Sequence, residues 1–148
     1  MEKKGETKEG TIIYDDYAHH PTEIKASLQA LREIYPKGKK NIIVLFQPHL
    51  YSRTKAFFND FAASFKEADK IFLLPIYFAR EEKDESVSSE KLAEVMVKTG
   101  DQAQAFPDFQ SAEEAVLALN LGPNDIFITM GAGDITKISD ELIKEIAK

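Results

Sequence analysis

The sequence predicts an α/β fold, a Rossmann-like three-layer sandwich with helices on both faces of a sheet. Short runs rich in β-branched and aromatic residues alternate with segments whose apolar residues recur at helical spacing. Several short runs are apolar almost throughout, which is typical of parallel strands that are buried on both faces. We expect about six strands, mainly parallel, with one antiparallel edge strand. A length of 148 residues with 43% apolar residues suits a single domain over residues 1–148.

The first part of the chain predicts a hairpin followed by a helix. The run 11–14 is rich in β-branched residues, and the turn-like segment 8–10 places an antiparallel edge strand at 4–7. Pro21 suits the first position of a helix, because the backbone N–H that it lacks would have no partner there. The apolar positions that continue this helix are Ile24, Leu28, Leu31 and Tyr35.

The middle of the chain predicts two buried strands, at 41–46 and 71–74, with a helix between them. The segment 79–88 is charged and has no periodicity, so we interpret it as a solvated surface loop without a function of its own. We assign the apolar stripe of the intervening helix to the core, and its members are Phe57, Phe61, Phe65 and Ala68.

The last part of the chain predicts two further helices around a weak strand near 102–106. Ser88 or Ser89 suits the N-cap of the first helix, which carries an apolar stripe. Ser111 with Glu114 has the spacing of a capping box for the second. The final strand covers 125–130, and the apolar positions of the final helix are Ile135, Ile138, Leu142 and Ile146.

Composition excludes several classes of function. A net charge of −6 argues against nucleic acid or an anionic membrane as a partner, because both attract basic surfaces. The absence of cysteine excludes disulfides, zinc–thiolate sites and a thiol nucleophile. No apolar run approaches the length of a membrane span, and the N-terminus lacks the apolar core of a signal peptide. We therefore expect a soluble, cytoplasmic protein.

Three of the predicted strands end in unusual polar segments, at 15–21, 47–54 and 131–134. All three histidines of the chain lie in the first two of these segments. The carboxyl ends of parallel strands share one edge of the sheet, and ligands bind beyond that edge. The three segments therefore predict a common binding site.

The acidic and histidine side chains of these segments leave several chemistries open. Asp15 and Asp16 suit a metal ion or the hydroxyls of a ribose, or one of them caps the following helix. His19, His20 and His49 with an aspartate suit a metal site and hence a small metal-dependent hydrolase. We favour hydrogen-bonded loop histidines and predict no metal site, because no His-x-x-x-His pair at helical spacing is present.

The remaining candidates suit an anion. Arg53 lies at a predicted helix start, where the helix dipole disfavours a cation, so it is either a phosphate or carboxylate ligand or a plain surface arginine. Gly131 and Gly133 either expose backbone N–H groups to an anion or make a tight turn. The chain contains no Gly-x-x-x-x-Gly-Lys-Ser/Thr phosphate loop. It therefore has ligand-like strand ends without a complete catalytic apparatus.

These segments resemble signatures of the Mur ligases, and in particular of the branch that adds L-alanine to UDP-N-acetylmuramate. The matching stretches are 15–24 (DDYAHHPTEI), 46–54 (FQPHLYSRT) and 130–135 (MGAGDI), in the expected order and spacing. A relative that recycles murein tripeptide shares the first stretch but is not similar around the second. Leu50 departs from the pattern, because many relatives have a basic or polar residue there.

The resemblance implies a role as the third of three domains, with the N-terminal and central domains absent, and an inactive isolated fragment. It also implies ATP with Mg²⁺, L-alanine and UDP-N-acetylmuramate as ligands of the full-length enzyme, and no tightly bound cofactor here. The alternative from the residues alone is a stand-alone α/β nucleotide- or anion-binding module. The implied roles are ATP binding by Asp16 and Tyr17, amino-acid binding by His19, His20, His49 and Arg53, and lining of the cleft by Gly131 and Gly133.

Overall fold

The computed structural model describes residues 1–147, except for the side chains at positions 136–139, 142 and 147. The predicted apolar positions Ile138 and Leu142 therefore lie outside the described residues. The strands are β1 (Glu2–Glu6), β2 (Ile12–Asp16), β3 (Asn41–Phe46), β4 (Lys70–Leu73), β5 (Ala103–Ala105) and β6 (Asp125–Met130). The helices are α1 (Pro21–Ile34), α2 (Tyr51–Ala56), α3 (Phe58–Ala63), α4 (Ser89–Lys98), α5 (Phe109–Ala118) and α6 (Ile135–Ala147).

The six strands form one sheet in the order β1-β2-β6-β3-β4-β5. β1 pairs with β2 antiparallel at one edge, and all other neighbouring strands are parallel. The predicted fold class is therefore confirmed, including the antiparallel edge strand and the weak strand near the other edge. The C-terminal strand β6 lies between β2 and β3, which brings the ends of these three strands side by side.

Two apolar cores cover the two faces of the sheet. Alternate residues of each strand point to opposite faces, so Ile42 and Val44 belong to one core while Ile43 and Leu45 belong to the other. The first core contains apolar residues of α1, α3 and α4, and the second contains residues of α5 and α6. Helices therefore cover both faces, as predicted. Across residues 1–147 no helix combines the length and the apolar character needed to cross a bilayer.

The predicted second helix is in fact two short helices, which meet at Phe57. The backbone of Phe57 leaves the helical region (φ −116°, ψ 26°), and its side chain is 37% exposed. The assignment of Phe57 to the core was therefore wrong, although Phe61 and Phe65 are fully buried as expected. Because of the break, α2 is a separate short helix at the carboxyl edge of the sheet.

Two helix starts differ from the sequence interpretation. Helix α5 begins at Phe109 and is capped by Asp108, whose Oδ1 accepts a hydrogen bond from Ser111 N at 2.8 Å. The predicted capping box at Ser111 was therefore wrong, because the helix starts about one turn earlier, after Asp108. Helix α1 begins at Pro21, as predicted, but its N-cap is His20, which forms a capping box with Glu23.

Candidate ligand-binding edge of the sheet

The structure brings the three polar segments together at the carboxyl ends of β2, β6 and β3. Asp16 pairs with Met130, and Met130 pairs with Phe46, in the last register positions of these strands. The hydrogen bonding continues one residue further, because Gly131 N donates to the carbonyl of Asp16 at 3.1 Å and Gln47 N donates to that of Met130 at 3.0 Å. The predicted common edge is confirmed.

Four aromatic rings form a continuous row along this edge, which we call the aromatic row: Tyr17, His19, His49 and Tyr77. Tyr17 meets His19 edge-on with ring centroids 5.4 Å apart, and His19 meets His49 at 5.8 Å. The ring of Tyr77 stacks on His49 at 5.4 Å with an interplanar angle of 20°. Tyr77 follows β4, where the sequence offered no polar cluster, and we did not predict it.

Arg53 contacts the centre of the aromatic row from the first turn of α2. Its Nη1 atom donates to Nδ1 of His49 at 3.0 Å and lies 3.5 Å from the carbonyl oxygen of the same residue. Because a guanidinium can only donate, Nδ1 of His49 is the acceptor and its ring proton is on Nε2. The pKa of His49 lies below its ordinary value, and burial is the largest cause. The charge of Arg53 and then that of His19 lower it further.

The first turn of α2 is capped by a residue from the distant loop 75–88. Leu50 occupies the N-cap position with φ at 72° and provides no side-chain hydrogen bond. Glu81 takes this role: its Oε1 accepts from Ser52 N at 3.2 Å, and its Oε2 accepts from the Ser52 hydroxyl. These hydrogen bonds lower the pKa of the Glu81 carboxyl, the Ser52 hydroxyl contributing most.

The turn after β6 requires glycine at two positions. Gly131 has φ at +144°, and a Cβ atom there would lie 2.9 Å from the carbonyl oxygen of Gln47. A Cβ atom on Gly133 would lie 2.6 Å from Cγ of Tyr77. Gln47 is buried, and its Oε1 accepts from Ile135 N at 2.8 Å, so it caps the start of α6. The tight-turn interpretation of Gly131 and Gly133 is therefore supported by these contacts.

Asp16 has an unsatisfied acceptor at the edge. Its side chain is 7% exposed, Oδ1 accepts from Ala18 N at 2.9 Å and lies 4.0 Å from the Met1 ammonium. Its other oxygen, Oδ2, is buried and has no hydrogen-bond partner among the described residues. Asp15 differs, because it accepts a hydrogen bond from the Thr129 hydroxyl at 2.5 Å. Of the two aspartates, Asp16 is therefore the one with a buried oxygen that lacks a hydrogen-bond donor.

His20 lies at the start of α1 and is engaged by the protein itself. Its Nδ1 accepts from Thr22 N at 3.4 Å, and its backbone N–H donates to Glu23 at 3.1 Å. Its ring packs edge-on against Phe57, with centroids 4.9 Å apart. It is the one predicted site histidine outside the aromatic row, and these contacts give it a structural role.

The described part of the chain contains no group of three or more histidine, aspartate or glutamate side chains that could share a metal ion. The histidines therefore do not form the ligand set that a metal-dependent hydrolase needs.

Beside Tyr77, an open groove of about 510 Å³ runs between the loop after β4 and the start of α6. Its lining residues include Gln47, Phe78, Phe109 and Asp134.

The sheet belongs to the open α/β class, in which ligands bind beyond the carboxyl ends of the strands, where this chain has its arginine–imidazole pair, buried acceptor and glycine turn. Comparison with known families identifies the particular one. The family model described as the Mur ligase, glutamate ligase domain matches residues 1–133. The chain belongs to the Mur ligase family and corresponds to its C-terminal domain.

Several curated relatives share one name. A UDP-N-acetylmuramate–L-alanine ligase of Bdellovibrio bacteriovorus is 46% identical over 143 residues, which are 97% of this chain and 30% of the relative. The enzyme of the same name from Desulfosudis oleivorans is 42% identical over 143 residues, which are 97% of this chain and 31% of the relative. The chain thus spans about 30% of the length of the curated relatives that it matches.

Solved structures share the fold. The UDP-N-acetylmuramate–alanine ligase of Thermotoga maritima superposes with a TM-score of 0.74 at 24% identity, over 97% of this chain and 28% of that one. A domain from a putative UDP-N-acetylmuramate:L-alanyl-γ-D-glutamyl-meso-diaminopimelate ligase of Haemophilus ducreyi gives a TM-score of 0.70 at 25% identity. That match covers 99% of this chain and 98% of the other, so the same unit occurs elsewhere as a separate structural domain.

Proposed function

We propose that this chain serves as the C-terminal domain of an ATP-dependent ligase that joins L-alanine to UDP-N-acetylmuramate. The observation that carries the proposal is the Arg53–His49 pair in the centre of the aromatic row, on a domain whose relatives bear that name. An arginine beside a neutral imidazole offers a carboxylate a cation and further N–H donors at one place. The Arg53–His49 pair therefore suits the carboxylate of an amino acid.

The proposed reaction has two steps. The γ-phosphoryl group of ATP passes to the carboxylate of UDP-N-acetylmuramate, which gives an acyl phosphate and ADP. The amine of L-alanine then attacks the acyl carbon, the C–O bond to phosphate breaks, and phosphate leaves as the new amide loses a proton. Because water would hydrolyse the acyl phosphate, a domain that closes over the site both excludes water and holds the amine in position.

On the alanine side, Arg53 binds the carboxylate and His49 lies beside it. His19 faces the amine: its Nδ1 is 3.0 Å from the Tyr17 carbonyl oxygen, which can only accept. In the neutral ring, Nδ1 of His19 therefore carries the proton and Nε2 has a lone pair. That lone pair can orient the amine of L-alanine and take a proton from its ammonium form before attack.

On the nucleotide side, Asp16 binds the ribose of ATP through Oδ2, its buried acceptor without a partner. Tyr17 follows directly, and its ring is 64% exposed, so it presents an open face to the nucleotide. The turn that contains Gly131 and Gly133 lines the cleft between the two ligands. His20 remains a candidate contact to L-alanine, weaker than His19 because its ring faces Phe57.

The chain supplies only part of such an active site. Its sequence contains no phosphate loop, and the described residues gather no ligand set for a metal ion. We therefore assign the ATP phosphates and Mg²⁺ mostly to the central domain of the full-length enzyme, which works in the cytoplasm, and the UDP-sugar to its N-terminal domain. The chain alone is expected to be inactive and to hold no tightly bound cofactor, because isolated half-sites bind weakly.

The proposal is tested by fusing this chain to the first two domains of an alanine-adding relative and measuring ADP release. Release that depends on both L-alanine and UDP-N-acetylmuramate is the expected result. A correctly folded fusion with no alanine-dependent release would overturn the proposal. ATP binding by the 148-residue chain alone, together with an inactive fusion, would instead favour the stand-alone nucleotide-binding module.

A second test concerns Arg53 itself. In the fused enzyme, Arg53→Ala should raise the KM for L-alanine about tenfold or more, since hydrogen bonds to charged groups are worth about 1.5–3 kcal/mol. The KM for ATP should change little. Arg80→Ala is the matched control, because Arg80 is an exposed arginine of the nearby loop. An unchanged alanine KM in Arg53→Ala would exclude the carboxylate assignment.

A further inference from the structure

We propose that Glu81 is a positioning residue for L-alanine, which acts by capping α2 and so holding Arg53 against His49. The proposal rests on the proposed function, because it concerns the same amino-acid site. Glu81 belongs to the charged segment 79–88, to which the sequence alone assigned no role. Its carboxylate makes hydrogen bonds to Ser52 of α2 and none that the structure describes to the Arg53 guanidinium or the His49 imidazole. It therefore acts on Arg53 through the backbone of α2 and through its charge.

Helix α2 needs a cap from outside. The helix has only six residues, so its free N–H groups form a large part of its backbone. Leu50 at the N-cap has no side-chain acceptor and holds a backbone conformation, φ 72°, that β-carbon-bearing residues rarely adopt. Arg53 is the third residue of the helix, where its charge is unfavourable to the dipole. A six-residue helix with these features is marginal without further contacts.

Glu81 compensates for both defects. It accepts hydrogen bonds from the backbone N–H and the hydroxyl of Ser52, and so satisfies an N–H group that Leu50 cannot. The negative charge of Glu81 at the helix start also attracts the positive charge of Arg53, and this attraction contributes to the lowered pKa of Glu81. One side chain, 29 residues away in sequence, therefore replaces the missing cap and balances the cation.

The loop that carries Glu81 is itself attached to the same site. Tyr77 N donates to the Pro48 carbonyl at 2.9 Å, and Leu50 N donates to the Tyr77 carbonyl at 2.7 Å. Further along, Asp84 pairs with Lys55 of α2 at 3.3 Å. The loop thus contacts α2 at Glu81 and at Asp84, and it contributes Tyr77 to the aromatic row. Glu81 is the contact that reaches the turn containing Arg53.

The first test reads the Arg53–His49 contact directly in the 148-residue chain, without any activity. ¹⁵N shifts of the imidazole at pH 8 should show His49 with its proton on Nε2. Glu81→Ala should move His49 toward a mixture of tautomers, because Arg53 no longer holds Nδ1 as an acceptor. Glu81→Gln should retain most of the wild-type pattern, since its amide oxygen still accepts from Ser52 N. Glu82→Ala, an exposed neighbour in the same loop, is the control.

The second test measures kinetics in the fused enzyme. Loss of a cap should raise the KM for L-alanine about fivefold in Glu81→Ala, with less effect in Glu81→Gln and none in Glu82→Ala. The KM for ATP should stay within about twofold. A wild-type tautomer and a wild-type alanine KM in Glu81→Ala would overturn the proposal. If Glu81→Ala alters the His49 tautomer in the 148-residue chain but the unsubstituted fusion has no ligase activity, Glu81 still positions Arg53 and the ligase function is rejected instead.

Discussion

The ring of Tyr77 lies directly against the backbone of Gly133, and only a glycine leaves room for it. A Cβ atom at position 133 would lie 2.6 Å from Cγ and 2.7 Å from Cβ of Tyr77. Tyr77 in turn stacks on His49. The turn after β6 and the loop after β4 thus jointly fix the last ring of the aromatic row, and through it one side of His49.

Gly133→Ala should therefore displace Tyr77 from His49. Overpacking of this kind lowers the free energy of unfolding by about 1–3 kcal/mol, and the KM for L-alanine in the fused enzyme should rise. Gly122→Ala is the control, because nothing lies within 4 Å of a Cβ atom there. Urea unfolding and alanine kinetics of both variants check the prediction. Equal behaviour of the two variants would contradict the Tyr77 contact.

His49 should remain neutral below the pH at which an ordinary histidine becomes protonated. Its folded-state pKa is lowered by burial and by Arg53, so the unfolded chain binds the proton first as the pH falls. The contribution of His49 to stability is therefore fully present above the unfolded pKa of about 6.5. It is lost as the pH falls from that value toward the folded pKa. An NMR titration of the His49 ring measures this pKa.

Substitution of Arg53 separates the two main causes of the lowered His49 pKa, which are burial and the guanidinium charge. Arg53→Met removes one positive neighbour and should raise the pKa of His49, while the larger effect of burial keeps it below the ordinary value. Arg80→Met should leave the titration unchanged, because Arg80 is an exposed residue outside the site. A His49 pKa that does not move in Arg53→Met would mean that the guanidinium does not lie at Nδ1 in solution.

Gln47 connects the end of β3 to the start of α6 and should be sensitive to loss of its polar group. Its Oε1 accepts from the buried Ile135 N, and its Nε2 lies 3.4 Å from the Pro75 carbonyl oxygen. Gln47→Leu leaves that N–H without a partner, which costs about 1–3 kcal/mol of unfolding free energy. Gln47→Glu keeps an acceptor and should lose less. Thermal unfolding of both variants gives the comparison. Equal losses of stability would contradict the role of Gln47 Oε1 as the cap of α6.

The sequence was sufficient to locate the site, because the positions of strands and the rule for parallel sheets place their ends together. Asp16, His49 and Gly131 were found in this way, and the structure places them at or just beyond the carboxyl ends of the neighbouring strands β2, β3 and β6. Helical periodicity also gave the core positions of α1, where burial follows a spacing of three and four residues. These features depend on local pattern and on topology, which a single sequence contains.

The residues that were missed act through contacts distant in sequence. Tyr77 and Glu81 lie in or next to a segment without periodicity, and their roles depend on partners 28 and 29 residues away, His49 and Ser52. Phe57 was assigned to the core because its spacing fits a helix, but the break there turns its ring toward His20. Apolar spacing alone does not show that the backbone leaves the helical region at Phe57.

Asp16 provides a direct test of the nucleotide side of the site. Asp16→Asn can keep the hydrogen bond from Ala18 N, but it replaces the free acceptor Oδ2 with a donor. We expect the KM for ATP in the fused enzyme to rise about tenfold, since a charged acceptor to a ribose hydroxyl is lost. The KM for L-alanine should change little.

The neighbouring aspartate supplies the control for this prediction. Asp15→Asn keeps an oxygen that accepts from the Thr129 hydroxyl, so both KM values should remain near those of the unsubstituted enzyme. If Asp16 served only to cap the turn at Ala18, Asp16→Asn would behave like Asp15→Asn. An ATP KM that separates the two variants, with similar urea unfolding for both, would assign the buried carboxylate to the nucleotide and not to the fold.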